Sequence, residues 1–81
     1  MKKPIENQSE AKRKLHVGQI VCFVNGELPT LIVGTITEVR YDVPWCPDGV
    51  IRVKYGENEE TEQDFYIPWI TLYEVFDENE F

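Results

Sequence analysis

Two cysteines, one histidine, one methionine and no lysine or arginine beyond Lys54 are the scarcities of this 81-residue chain. Small secreted domains are usually dense in disulfides, so Cys22 and Cys46 alone predict a reducing, cytoplasmic setting, with Cys22 a small buried residue of a strand. His16 is the sole histidine, and neither a C-x-x-C nor an H-x-x-x-H spacing occurs. Four closely spaced ligands for a structural zinc are therefore lacking, and no metal or cofactor is expected. No stretch approaches the roughly 20 apolar residues of a membrane span. The opening MKKPIENQSEAKRKL has no apolar core behind its lysines, so it does not read as a signal peptide. A phosphate-cradling glycine loop and a dinucleotide fingerprint are both missing. A nucleophile at Cys46 or a hydroxyl would need His16 as its base, and the carboxylates lie in exposed turns that leave them ordinary acids. The chain reads as non-enzymatic, with no catalytic residue.

What is present is charge of one sign. The net charge is −7, from 15 Asp and Glu against 8 Lys and Arg. Residues 1–16 carry five basic and two acidic side chains, while residues 17–81 carry three basic and thirteen acidic, a basic leader ahead of a body at −10. That body opposes contact with a polyanionic backbone, so direct nucleic-acid binding is not expected. Hydrophobic residues at 42% and aromatics at 12% exceed what disordered chains usually hold. A body of this size buries only about 60% of its unfolded surface, which leaves little room for a deep cleft.

Residues 1–14 show no helical stripe and read as a flexible basic leader, with at most a turn of helix from Ser9. From Leu15 the texture changes. LHVGQIVCFV reads as a strand with a bend at Gly18, followed by an Asn25-Gly26 turn extended by Glu27-Leu28-Pro29. LIVGTITEVRY is one long strand with a bulge or bend expected at Gly34. DVPWCPDG is turn chemistry. VIRVKY alternates, placing Ile51, Val53 and Tyr55 on one face and Arg52 and Lys54 on the other. An acidic turn over residues 56–60 leads into TEQDFYI, Pro68-Trp69-Ile70 predicts a tight 3-10 turn, and TLYEVF closes the series with Leu72 and Val75 or Phe76 in the core. Five short strands predict an all-β domain over residues 15–76, a closed or nearly closed barrel, with an acidic end at 77–81.

The run Val17-Gly18-Gln19-Ile20-Val21, then Val33-Gly34-Thr35-Ile36, Ile51-Arg52-Val53-Lys54-Tyr55 and the Pro68-Trp69-Ile70 turn before Leu72 resembles small Src-homology-3-like and Tudor-like barrels of bacterial or phage type. The resemblance implies a five-stranded Src-homology-3-like barrel whose loops and one exposed groove bind a protein segment, a modified side chain or nucleic acid. The acidic-aromatic motif and the paired tryptophans of the proline-peptide binders do not occur here, so no groove residue is carried over.

Two constellations remain. Nine carboxylates fall within residues 57–81, unbroken by any cation. An ordinary solvated face is the plain account. The functional account is an acidic surface, Glu57, Glu59, Glu60, Glu62 and Asp64, that engages a basic protein such as a nucleic-acid-processing one, in its sharpest form as a phage-encoded inhibitor mimicking nucleic acid. The second constellation is aromatic: Tyr41, Trp45, Tyr55, Phe65, Tyr66, Trp69 and Tyr73, most of them expected in the core or at the barrel rim. Trp45, in the rigid Pro44-Trp45-Cys46-Pro47 turn, is the candidate interface anchor. With Tyr41 and Tyr66 beside Glu62 or Asp64, it would form a rim for a cationic or methylated side chain or a short peptide. The chain is thus expected to be a protein-binding module using the acidic face and the Trp45 loop. A structural or assembly subunit is the third reading, and the sequence does not fix the oligomeric state.

Overall fold

The computed structural model describes residues 3–26 and 30–77. The expected Glu27-Leu28-Pro29 loop and the acidic end beyond Asp77 lie outside the described residues. The element order is helix α1 (Gln8–Arg13), strands β1 (Ile20–Asn25), β2 (Leu31–Arg40), β3 (Val50–Tyr55) and β4 (Thr61–Tyr66), a 3-10 turn (Ile67–Trp69), and β5 (Ile70–Phe76). All five strands join one antiparallel sheet in the order β4-β3-β2-β1-β5. The class is all-β, as expected. Among the described residues the ladder does not close, however: β4 and β5 are its two edges, so of the closed or nearly closed barrel expected the closed form is corrected.

The sheet nevertheless curls around its own core. Phe23 of β1 and Phe65 of β4 are three strand spacings apart along the ladder, which in a flat sheet would be roughly 14 Å. Their ring centroids are 4.9 Å apart, in an edge-on contact at 78°. Only a strongly coiled sheet brings them together. Around this pair lie Val21, Ile36, Ile51, Val53 and Leu72, all essentially without solvent exposure. β3 delivers its expected alternation, with Ile51 and Val53 inside and Arg52 and Lys54 outside. Leu72 is buried, Val75 packs partly against the core, and Phe76 is half-buried.

The coiling is visible in β2. The ladder irregularity against β3 falls between Ile36 and Glu38, so the bulge expected at Gly34 is displaced by three residues. Gly34 instead keeps regular pairing with Val21 and Tyr55 and serves close approach. A Cβ there would run into the Lys54 carbonyl oxygen, and would lie 2.6 Å from Val53 Cγ1 and 2.9 Å from Tyr55 Cβ.

The leader is the larger correction. Asn7 caps α1, its side-chain oxygen accepting from the Glu10 amide at 3.1 Å while its Nδ2 donates to Glu10 Oε2 at 3.0 Å. This reciprocal cap closes the first turn. Gln8 then docks the helix on the edge of β5: its Nε2 donates to the Leu72 carbonyl and its Oε1 accepts from the Leu72 amide, both at 2.8 Å. The Ile5 amide also donates to the Leu72 carbonyl, at 3.0 Å. At the other end, the Tyr41 hydroxyl donates to the carbonyls of Lys12 at 2.8 Å and Leu15 at 3.4 Å. Ile5 and Ala11 pack against the core. Residues 5–14 are therefore a docked segment and not the free leader expected, because the signals that fix it are single side-chain to backbone bonds, which leave no periodic pattern in the sequence.

Gln19, the one buried polar side chain among the described residues, accepts from the His16 amide at 2.9 Å and donates to Asp77 Oδ1 at 3.0 Å. The same carboxylate oxygen lies 3.1 Å from His16 Nε2. The start and end of the sheet are tied together through this one amide.

Gly34→Ala is expected to lower the unfolding free energy by about 3 kcal/mol in urea denaturation, because neither the Lys54 carbonyl nor Val53 can retreat. Tyr41→Phe is expected to cost about 1 kcal/mol, and to speed amide exchange in α1 while leaving β3 exchange near the wild-type rate.

Candidate functional site

The largest exposed apolar side chains are Trp69 at 65% and Trp45 at 61% exposure. Both meet Tyr66, which lies between them. The Trp45 and Tyr66 rings are 5.7 Å apart at 62°, and those of Tyr66 and Trp69 are 6.0 Å apart at 90°. Together with Asn25, Asp64 and Phe65 they line a cleft of about 270 Å³.

Local chain chemistry holds each ring. Trp45 sits at the tip of the connection between β2 and β3, where the Cys46 amide donates to the Val43 carbonyl at 3.1 Å and Cys46 Sγ donates to the Gly49 carbonyl at 3.3 Å. Trp69 ends the 3-10 turn, in which Pro68 occupies a first-turn position whose missing donor costs nothing. That turn is clamped from both sides: the Gly26 amide donates to the Trp69 carbonyl at 2.7 Å, and the Ile67 amide donates to the Gly49 carbonyl at 3.0 Å. Gly26 and Gly49 both have positive φ, 56° and 103°, which side-chain-bearing residues seldom adopt. The aromatic cleft is thus built on a pinned support.

Of the expected aromatic rim, the structure brings Trp45 and Tyr66 together beside Asp64, while Tyr41 goes elsewhere. Tyr41 holds α1 and lines a separate cleft of about 440 Å³ with Lys12, Arg13 and Asp48. Burial pushes its phenol pKa up, against the hydrogen bond to Leu15. Trp69 takes its place in the rim. No local sequence signal marks this exposure, because a residue that follows a turn-starting proline reads as part of the turn.

The acidic residues also divide. Glu62 and Asp64 of β4 face β3, where Arg52 Nε approaches Glu62 Oε2 at 3.7 Å and Asp64 Oδ1 at 3.4 Å. Arg40 reaches Asp64 Oδ2 at 3.7 Å and Glu38 at 3.3 Å, and Thr37 donates to Glu62 Oε2 at 2.9 Å. The three cations of the body, Arg40, Arg52 and Lys54, all stand on β2 and β3 opposite these carboxylates. The outer face of β2, β3 and β4 is therefore charge-matched. Glu57, Glu59 and Glu60 remain exposed on the turn before β4. Glu60 is structural: its carboxylate accepts from the Asn58 amide at 2.9 Å and leans over Gly56, whose φ is 103°.

The expected contact surface is consequently split. The acidic turn precedes Thr61 and the cleft surrounds Tyr66, at opposite ends of β4, roughly 17 Å apart at strand rise. Screening at physiological salt sets in over about 8 Å. Across the length of the strand the charges of the turn are largely screened from the cleft.

Among the described residues no three His, Cys, Asp or Glu side chains gather as metal ligands, and both cysteines are buried. No described helix is long and apolar enough to cross a membrane. No known protein family matches the chain, and no curated protein or solved structure matches it.

The Glu60 carboxyl is held below the ordinary glutamate range, first by hydrogen bonding to its own backbone amide and then to that of Asn58. A depressed folded-state value stabilises the turn above the unfolded pKa, and that contribution fades as pH falls through the folded value. In a carbon-detected NMR titration, Glu60 is expected to titrate below the ordinary glutamate range, and Asn58→Pro, which removes a donor, to move it upward.

Proposed function

We propose that this chain is a non-enzymatic protein-binding module whose contact surface is the Trp45–Tyr66–Trp69 cleft, with a basic protein segment as its partner. One observation carries this: two tryptophans, each more than 60% exposed, are held in ring contact with a common tyrosine on a support clamped by two glycine turns. Exposing that much indole costs a monomer solubility, and the contacts with Tyr66 leave most of each indole unpacked. Tryptophan and tyrosine are also the residues that dominate binding interfaces when their pockets become desolvated. The body's net charge of −10 favours a positive segment, while Asp64 at the edge of the cleft is already paired with Arg40 and Arg52. A lysine or arginine laid over an indole face beside that carboxylate gains cation–π attraction.

The strand order, with a 3-10 turn between the fourth and fifth strands, supports reading the domain as an open Src-homology-3-like barrel. The inhibitor and nucleic-acid-mimic forms of the function draw on Glu57 and Glu59 more than on β4, since Glu62 and Asp64 already have cations opposite them.

Affinity capture with wild-type, Trp69→Ala and Glu57→Gln/Glu59→Gln baits tests the assignment. A partner retained by wild type is expected to bind Trp69→Ala at least about 30-fold more weakly, as for a hot-spot residue. The glutamine variant should slow association at low salt and leave the dissociation rate unchanged. A partner held equally by wild type and Trp69→Ala would overturn the cleft assignment.

A further inference from the structure

The two edges of the sheet differ. The edge of β5 is occupied at Leu72 by Ile5 and by the Gln8 carboxamide, which donates and accepts as a neighbouring strand would. The edge of β4 has no such cover: among the described residues β4 pairs with β3 alone. Glu62, Gln63 and Asp64 are successive exposed residues along it. A bare strand edge is a template for another strand, and charged side chains are the usual means of deciding which strand is admitted.

The charges here have an order. The outer-face row running across the sheet at Glu38, Arg52 and Asp64 is in direct register and reads negative, positive, negative. The adjoining row reads Thr35, Lys54, Glu62, again with a positive residue followed by a negative one at the edge. Residues directly opposite on neighbouring strands interact, favourably when their charges differ and unfavourably when they match. Each row ends at the edge in a carboxylate that already faces a cation of β3, so the next position outward disfavours an anion and admits a cation. Tyr66, two residues beyond Asp64 on the same face, opens into the cleft with Trp45 and Trp69. A second copy of this chain, pairing β4 to β4, would set carboxylate against carboxylate.

We propose that β4 accepts an added antiparallel strand from a partner protein, and that the segment admitted has the alternating pattern apolar-x-basic-x-basic. Its two cations stand beside Asp64 and Glu62, its apolar residue enters the cleft beside Tyr66, and its backbone bonds the free edge of β4. The proposal rests on the protein-binding reading above but uses the backbone of β4, which that reading does not require.

The test is NMR titration of the intact chain with a capped peptide carrying Phe-Thr-Lys-Thr-Lys, and with its isomer Phe-Lys-Lys-Thr-Thr, equal in composition and charge. Two further peptides carry N-methyl groups on alternate amides, one along each edge of the strand. Expected are shift changes and slowed amide exchange over Thr61–Tyr66. The isomer, and one of the two methylated peptides but not the other, should bind at least about tenfold more weakly. Equal binding by the isomer, indifference to both methylations, or no binding at millimolar peptide would overturn the proposal. If methylation has no effect while Trp69→Ala abolishes binding, strand addition fails and the cleft stands. Protection of β4 that grows with protein concentration in the absence of peptide would mean self-pairing and would likewise overturn it.

Discussion

The contact between Phe23 and Phe65 is the constraint from which the rest follows. Two rings on strands separated by two others can meet edge-on only if the sheet coils until its inner faces touch, and the coil has to be accommodated somewhere. β2 accommodates it twice: through the irregularity between Ile36 and Glu38, and at Gly34, where no side chain keeps β3 at a distance. Coiling also carries the connections at one end of the sheet toward each other. Gly26 from one connection and Gly49 from another reach the 3-10 turn from opposite sides, and the three exposed rings are mounted on that junction. The cleft is a by-product of closing a core around two phenylalanines.

Electrostatics follows the same geometry. A surplus of ten negative charges over residues 17–81 suggests a continuous acidic face, yet the three cations of that stretch stand opposite the carboxylates of β4. These pairs are about half-exposed and add little stability individually. Their effect is on pattern: they balance the outer face of β2, β3 and β4, end each row at the edge in a carboxylate, and leave Glu57, Glu59 and Glu60 as a group on the turn before β4 without a cation opposite among the described residues. Burial selects where aromatic surface is displayed, and pairing selects where charge is.

Much of this was legible in the residues. The alternation in VIRVKY placed Ile51 and Val53 inside and Arg52 outside, because a period of two has only one solution when one face must be buried. Trp45 was legible as an exposed anchor from the prolines on either side of it. Trp69 was not, because a residue following a helix-starting proline is read as part of a turn and not as a surface. Tyr41 was misplaced because its destination is set by two carbonyls of residues 26 and 29 positions earlier in the chain, and hydrogen bonds over such spans have no local signature. The α1 helix has no buried residue of its own, so periodicity was silent about it; Asn7 followed by Glu10 was the only local sign. The open edge of β4 depends on strand order, which a single sequence does not specify.

The Gln8 carboxamide has a consequence for synthesis in a cell. Its partner, Leu72, is translated 64 residues later, and β1 likewise takes β5 as one of its two neighbours. During synthesis from the N-terminus, the Gln8 carboxamide therefore waits for β5 to clear the exit tunnel before it can dock. A nascent chain stalled or truncated before β5 therefore lacks the strand that seats α1 and shields the other side of β1.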